Sequence, residues 1–162
     1  IGQGFTLATP LQMALVMSEA ANGGKKYRPY LVKDIIAPDG TVIKHFDPVV
    51  ERDLNIDPSV ISLVQEGLHE VSTVGTAAAM FKDFPVPIAG KTGTAENSHG
   101  REHGWFVAYG PFDNPNIAVA VIVENAGYGA TSAVPIGYKI LSAAFGLDKP
   151  KTPENQPAPA QQ

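Results

Sequence analysis

The sequence contains no cysteine, which excludes a disulfide framework and a thiolate metal site and leaves the redox compartment unmarked. Basic residues are few. Twelve Lys and Arg stand against sixteen Asp and Glu, giving a net charge of -4 and a pI near 5.5. A chain without a large positive field has little grip on phosphate backbones, so no nucleic-acid partner is expected. Nor does any stretch approach the roughly 20 unbroken apolar residues of a membrane span. The first residues also lack a charged start followed by an apolar signal core. Any membrane anchor is therefore expected outside this sequence.

What is present suffices for one modest core: 162 residues, 44% of them hydrophobic, which is the size of one domain or part of one. Fourteen prolines and sixteen glycines divide the chain into short elements with definite turns, and mixed helix and strand is expected. Thr9-Pro10-Leu11-Gln12 reads as a capping box with proline at the first helical position. The largely apolar helix that follows should stop at Asn22-Gly23-Gly24. Residues 30–36 and 42–46 are rich in β-branched and aromatic side chains around Pro38-Asp39-Gly40, which predicts a hairpin, here expected to be a peripheral excursion. Asp57-Pro58 opens a second helix with Val60, Ile61, Val64, Leu68 and Val71 on one face. A shorter one is expected from Thr76 to Phe81.

Three strands should follow, at 88–95, 105–109 and 117–123, as an antiparallel meander turning at Pro111 to Pro115. Ile117 to Val123 is apolar on both faces, which predicts a central strand with helices above and below. Residues 134–145 carry helical spacing, and from Asp148 the chain has almost nothing to bury and reads as a disordered, proline-rich tail. The domain partition is thus 1–147 plus a tail at 148–162.

The sharpest local feature is Ala89-Gly90-Lys91-Thr92-Gly93-Thr94-Ala95, a lysine and two hydroxyls among glycines that admit another chain close to the backbone. On a strand, Lys91 and Gly93 share one face and Thr92 and Thr94 the other. A peptide pairing with that edge would be β-augmentation. Gly90-Lys91-Thr92 imitates the end of a phosphate-binding loop, but that motif needs a glycine where Pro85 stands. His99 and His103 are four apart, yet Gly100 and Gly104 point to a loop rather than one helix face, and no third ligand is evident, so no metal or other cofactor is expected.

A lone Lys-Thr-Gly occurs by chance in roughly one in fifty chains of this length, so context must carry the reading. Ile1-Gly2-Gln3-Gly4, Ala8 to Ala14, Ala21 to Gly24, Gly75-Thr76-Ala77, Ala89 to Glu96, His103-Gly104-Trp105-Phe106 and Ile117-Ala118-Val119 occur in order. With them the chain resembles class B penicillin-binding proteins of the elongation type, penicillin-binding protein 2, along nearly its whole length up to the tail. The resemblance implies an α/β (α+β) fold, an antiparallel sheet flanked by helices, as the C-terminal portion of a penicillin-binding, serine β-lactamase-like transpeptidase domain. It also implies a serine D,D-transpeptidase that cross-links D-Ala-D-Ala stem peptides through an acyl-enzyme and is acylated by β-lactams. Such a protein would face the periplasm, anchored to the cytoplasmic membrane by an N-terminal segment, and would work with the cell-wall elongation machinery.

That family builds its site from Ser-x-x-Lys, Ser-x-Asn and Lys-Thr-Gly. Ser18, Ser59, Ser62, Ser72, Ser98, Ser132 and Ser142 all lack a lysine three residues on and an asparagine two residues on, so neither serine motif is in this chain. Without the nucleophile and its activating lysine, the chain alone is expected to be inactive. Carried over by motif, Lys91 supplies positive potential, Thr92, Gly93 and Thr94 form the substrate strand, both hydroxyls hold the substrate carboxylate, and the Thr94 N–H is an oxyanion donor. Ala95, Glu96, Trp105 and Tyr128 are expected at the cleft border. Two alternatives remain: a non-catalytic penicillin-binding sensor or binding module, and a folded piece that self-associates through surface its partner half would cover. An upstream segment carrying both serine motifs favours the enzyme, and Gln3 with Thr9 to Gln12 looks more like the transpeptidase than the sensor.

Overall fold

A computed structural model describes residues 3–148. The tail expected from Asp148 lies outside the described residues except for Asp148 itself. Helix α1 (Pro10–Ala21) begins as the sequence dictates: the Thr9 side chain accepts from Gln12 N at 3.2 Å, and the Gln12 side chain accepts from Thr9 N at 2.8 Å. After Gly23 and Gly24, both at positive φ, strand β1 (Lys25–Tyr27) pairs antiparallel with β4 (Val50–Asp53). Between them β2 (Asp34–Ile36) pairs with β3 (Val42–His45). Gly40 at φ 88° and the Asp39 carboxylate accepting from Thr41 N at 2.9 Å make the turn that joins them. The first strand of this hairpin is shorter than the 30–36 expected, and the β1–β4 pairing beneath it was not anticipated.

Helix α2 (Pro58–Thr73) is capped by Asp57, whose side chain accepts from Ser59 N at 2.8 Å. A tight turn leads to α3 (Ala78–Phe81). The main sheet then forms from β5 (Ala89–Ala95), β6 (His103–Gly110) and β7 (Ile117–Val123) in the order β5-β6-β7, all antiparallel. The meander is as expected, but β6 rather than β7 is the middle strand among the described residues. The apolar pattern of β7 has another cause. It is covered on both faces by helices, α1 on one and α4 (Gly129–Ala144) on the other. Helix α4 starts five residues before the 134 expected. Pro135 lies inside it and costs one backbone bond, to the Thr131 carbonyl, without ending the helix.

The alternation of side chains sorts the core into two layers. Ala89, Val107 and Tyr109 face α1, where they pack with Met17, Met13, Ala118 and Ala120. Phe106, Ala108 and Val121 face the other way and pack with Phe81, Ala133, Val134 and Leu141 of α3 and α4. Gly137 lets α4 sit directly on Phe106, since a Cβ there would lie 2.4 Å from the ring. Helix α2 contributes Leu68 to the first layer and Val71 to the second. It is pinned to the start of β5 at the Ile88 carbonyl, which accepts from Ser72 Oγ at 2.8 Å and lies 2.6 Å from His69 Nδ1.

Candidate functional site

Strand β5 pairs only with β6 among the described residues, so its second edge carries no strand. Lys91, Thr92, Gly93, Thr94 and Ala95 line a groove of about 640 Å³ with Trp105 and Val107 of β6, Met13 of α1, and Gln3, Thr6 and Ala8 of the leading segment. The register explains the grouping: Gly93 faces Trp105 and Lys91 faces Val107 across the ladder. These four share the α1 face with Met13. Thr92 and Thr94 point to the α3–α4 face, but because β5 is outermost they too reach the groove. Lys91 and Thr94 are exposed, and Lys91 Nζ donates to the Thr92 carbonyl at 2.6 Å.

Both hydroxyls are held. Thr94 Oγ1 accepts from Gly129 N at 3.3 Å, at the first residue of α4. An N–H can only donate, so the single Thr94 proton is left free for another acceptor. The partial positive charge at the start of a 16-residue helix adds to the potential there. Thr92 Oγ1 lies 2.7 Å from Thr76 Oγ1, in the turn between α2 and α3.

Close backbone approach makes this possible. A Cβ on Gly129 would lie 2.2 Å from the Gly93 carbonyl oxygen and 2.4 Å from that of Trp105. One on Gly104, opposite Thr94 in the ladder, would lie 3.0 Å from the Gly127 carbonyl. Two glycines therefore let the loop before α4 rest on the β5–β6 backbone. Antiparallel alternation turns the N–H and C=O of Thr92 and Thr94 to one and the same edge of β5.

Of the expected border residues, Ala95 and Trp105 line the groove, while Glu96 lines an adjoining recess with Asn97, Ser98, Gly100 and Glu102. Gln3 belongs to both, and its Oε1 accepts from Glu96 N at 2.7 Å. Tyr128 is not among the lining residues of either. It caps α4, where its carbonyl accepts from Ser132 N at 3.0 Å and Ser132 Oγ at 2.8 Å, and its side chain is 68% exposed. His103 opens β6 and its Nδ1 accepts from Asn125 N at 3.0 Å, whereas His99 lies in the preceding turn.

Thr76 and Gly129 are the groups that motif reasoning left without a role. Thr76 is 16 residues from Thr92, and no local pattern links them. Gly129 reads only as a loop glycine.

The family model described as the penicillin binding protein transpeptidase domain matches residues 1–142. The chain is 35% identical to peptidoglycan D,D-transpeptidase MrdA of Haemophilus influenzae, over 100% of this chain and 27% of that protein. It is 36% identical to peptidoglycan D,D-transpeptidase PbpA of Mycolicibacterium smegmatis, over 90% of this chain and 31% of that one. Among solved structures it is similar to penicillin-binding protein A from M. tuberculosis in its imipenem acyl-enzyme complex, with a TM-score of 0.77 and 36% identity over 90% of this chain and 32% of the other. The chain thus spans about a third of the length of the relatives it matches. With a three-stranded antiparallel sheet between helices, a Lys-Thr-Gly strand at its edge and a match over most of its residues, the chain belongs to the penicillin-binding protein transpeptidase domain family.

Proposed function

We propose that this chain is the Lys-Thr-Gly part of a serine D,D-transpeptidase of the penicillin-binding protein 2 type, its serine and Ser-x-Asn motifs supplied by a preceding segment of a longer polypeptide. The observation that carries the reading is the edge of β5. Lys91, Thr92 and Thr94 line one groove along a strand with no strand partner on that side among the described residues, and both hydroxyls are held by neighbours.

In this reading an extended stem peptide lies along that edge. Its terminal carboxylate accepts from the Thr92 and Thr94 hydroxyls, within the potential of Lys91 and the α4 N-terminus. The serine oxygen bonds to the penultimate D-Ala carbonyl, and the outward Thr94 N–H receives the developing oxyanion. The peptide C–N bond then breaks, terminal D-Ala leaves with the proton, and the acyl group passes to a neighbouring stem-peptide amine. One such preorganised donor is worth roughly 3 to 4 kcal/mol of barrier. A β-lactam, with a carboxylate beside a strained amide, acylates the same serine and stays. The site sits on the periplasmic face of the cytoplasmic membrane, within the cell-wall elongation machinery.

The test is acylation by a fluorescent penicillin. The longer polypeptide takes covalent label and this chain alone takes none. Lys91→Ala in the longer polypeptide slows acylation roughly 10- to 100-fold, the weight of a charge-assisted contact, at unchanged melting temperature. Unchanged acylation would remove Lys91 from the site.

A further inference from the structure

We propose that Thr76 is a positioning residue of the carboxylate site: its hydroxyl donates to Thr92 Oγ1 and so directs the single Thr92 proton toward the substrate. The inference rests on the carboxylate-binding role proposed for Thr92. Either oxygen of the 2.7 Å Thr76–Thr92 pair could be the donor in an empty site, but a carboxylate can only accept. With the groove occupied, Thr92 has to spend its proton on the carboxylate, and the lone pair it then offers is satisfied by Thr76. The order Thr76 to Thr92 to carboxylate repeats what Gly129 N–H does for Thr94. Each carboxylate-facing hydroxyl thus has a donor behind it, from a different element.

The turn carrying Thr76 is built to hold still. Val74 N and Gly75 N both donate to the Glu70 carbonyl, at 2.9 and 2.8 Å, and Ala77 N donates to the Val71 carbonyl at 2.9 Å. Gly75 packs against α2 so closely that a Cβ would lie 2.8 Å from Val71 Cα. Ala77, on the other side, is 1% exposed. Thr76 is exposed between these anchored neighbours, so its hydroxyl is presented to Thr92 rather than used to hold the turn together.

The experiment measures second-order acylation constants of the longer polypeptide with a fluorescent penicillin and with the same penicillin esterified at its carboxylate. The variants are Thr76→Val, Thr76→Ala, Thr76→Ser, Thr92→Val and the double Thr76→Val/Thr92→Val. Loss of one supporting hydrogen bond predicts about a fivefold drop for Thr76→Val with the free acid and none with the ester. Thr76→Ser should restore most of the rate. Because Thr76 acts only through Thr92, the double variant should be no slower than Thr92→Val. Equal losses on acid and ester, multiplying losses in the double variant, or no loss in Thr76→Val would each overturn the proposal. Should Thr76→Val fail to fold, Thr76→Ala and Thr76→Ser carry the same comparison. If Thr92→Val alone leaves acylation unchanged, the carboxylate reading of Thr92 fails first, which separates that failure from one confined to Thr76.

Discussion

Substituting Gly129 by alanine should loosen the proposed carboxylate site without touching a proposed catalytic group. The added Cβ would sit 2.2 Å from the Gly93 carbonyl oxygen and 2.4 Å from that of Trp105, where ordinary contact begins at 3.4 Å. Relief therefore needs about 1.2 Å of movement between the start of α4 and the β5–β6 backbone, the difference between 3.4 and 2.2 Å. No rotamer can supply it, because both obstacles are main-chain atoms of the ladder. The Gly129 N to Thr94 Oγ1 bond already measures 3.3 Å, so a displacement of that size breaks it. Overpacking of this kind costs roughly 1 to 3 kcal/mol of stability, and the lost hydrogen bond behind Thr94 should slow acylation about fivefold. Denaturant midpoints and penicillin acylation constants of the longer polypeptide measure both effects. A Gly129→Ala variant that unfolds at the wild-type midpoint and acylates at the wild-type rate would refute the close-approach reasoning.

Gly67 offers the opposite case. It lies within α2 with nothing within 4 Å of an added Cβ, so Gly67→Ala should stabilise the protein by roughly 0.5 to 1 kcal/mol, read from the denaturant midpoint. The Tyr109 phenol is fully buried, its hydroxyl has no hydrogen-bond partner among the described residues, and burial pushes its pKa from 10 up to about 12. Above pH 10 the unfolded chain releases this proton while the folded one keeps it, so stability falls as pH rises from about 10 to 12. Tyr109→Phe should flatten that alkaline limb in melting curves and leave neutral-pH stability unchanged or raised, because it removes an unpartnered polar atom.

The parts of the fold legible in the sequence are those where local chemistry decides. Thr9 with Gln12, Asp57 with Pro58, and Pro38-Asp39-Gly40 form the caps and turn their side chains dictate. The period-2 pattern places Lys91 and Gly93 opposite Thr92 and Thr94. Strands β1 and β4 escaped notice because Lys25–Tyr27 and Val50–Asp53 are short and largely polar, and their pairing is settled across more than twenty residues. The start of α4 is hidden by a glycine and a proline that each argue against helix, and packing of the helix on Phe106 overrides them. The apolar run of β7 reports cover on both faces and says nothing about how many strands flank it. Tyr128 is expected at the cleft border because a glycine-flanked aromatic suggests a cleft wall; it stands at the N-cap of α4 and lines neither recess.

The site's two kinds of group are set by opposite layers of the core, and this follows from strand alternation rather than from the motif. Lys91 projects on the α1 face, where Met13, Trp105 and Val107 border the groove. Thr92 and Thr94 project on the α3–α4 face, where the α2–α3 turn and the α4 N-terminus reach them. A tripeptide on an outermost strand can thus present charge from one side and hydrogen-bond donors from the other to a single ligand on its edge. It does so only while both layers stay packed. Lys-Thr-Gly alone is therefore a weak marker: the groups behind Thr92 and Thr94 come from residues 16 and 35 positions away, and only the folded sheet brings them to one strand.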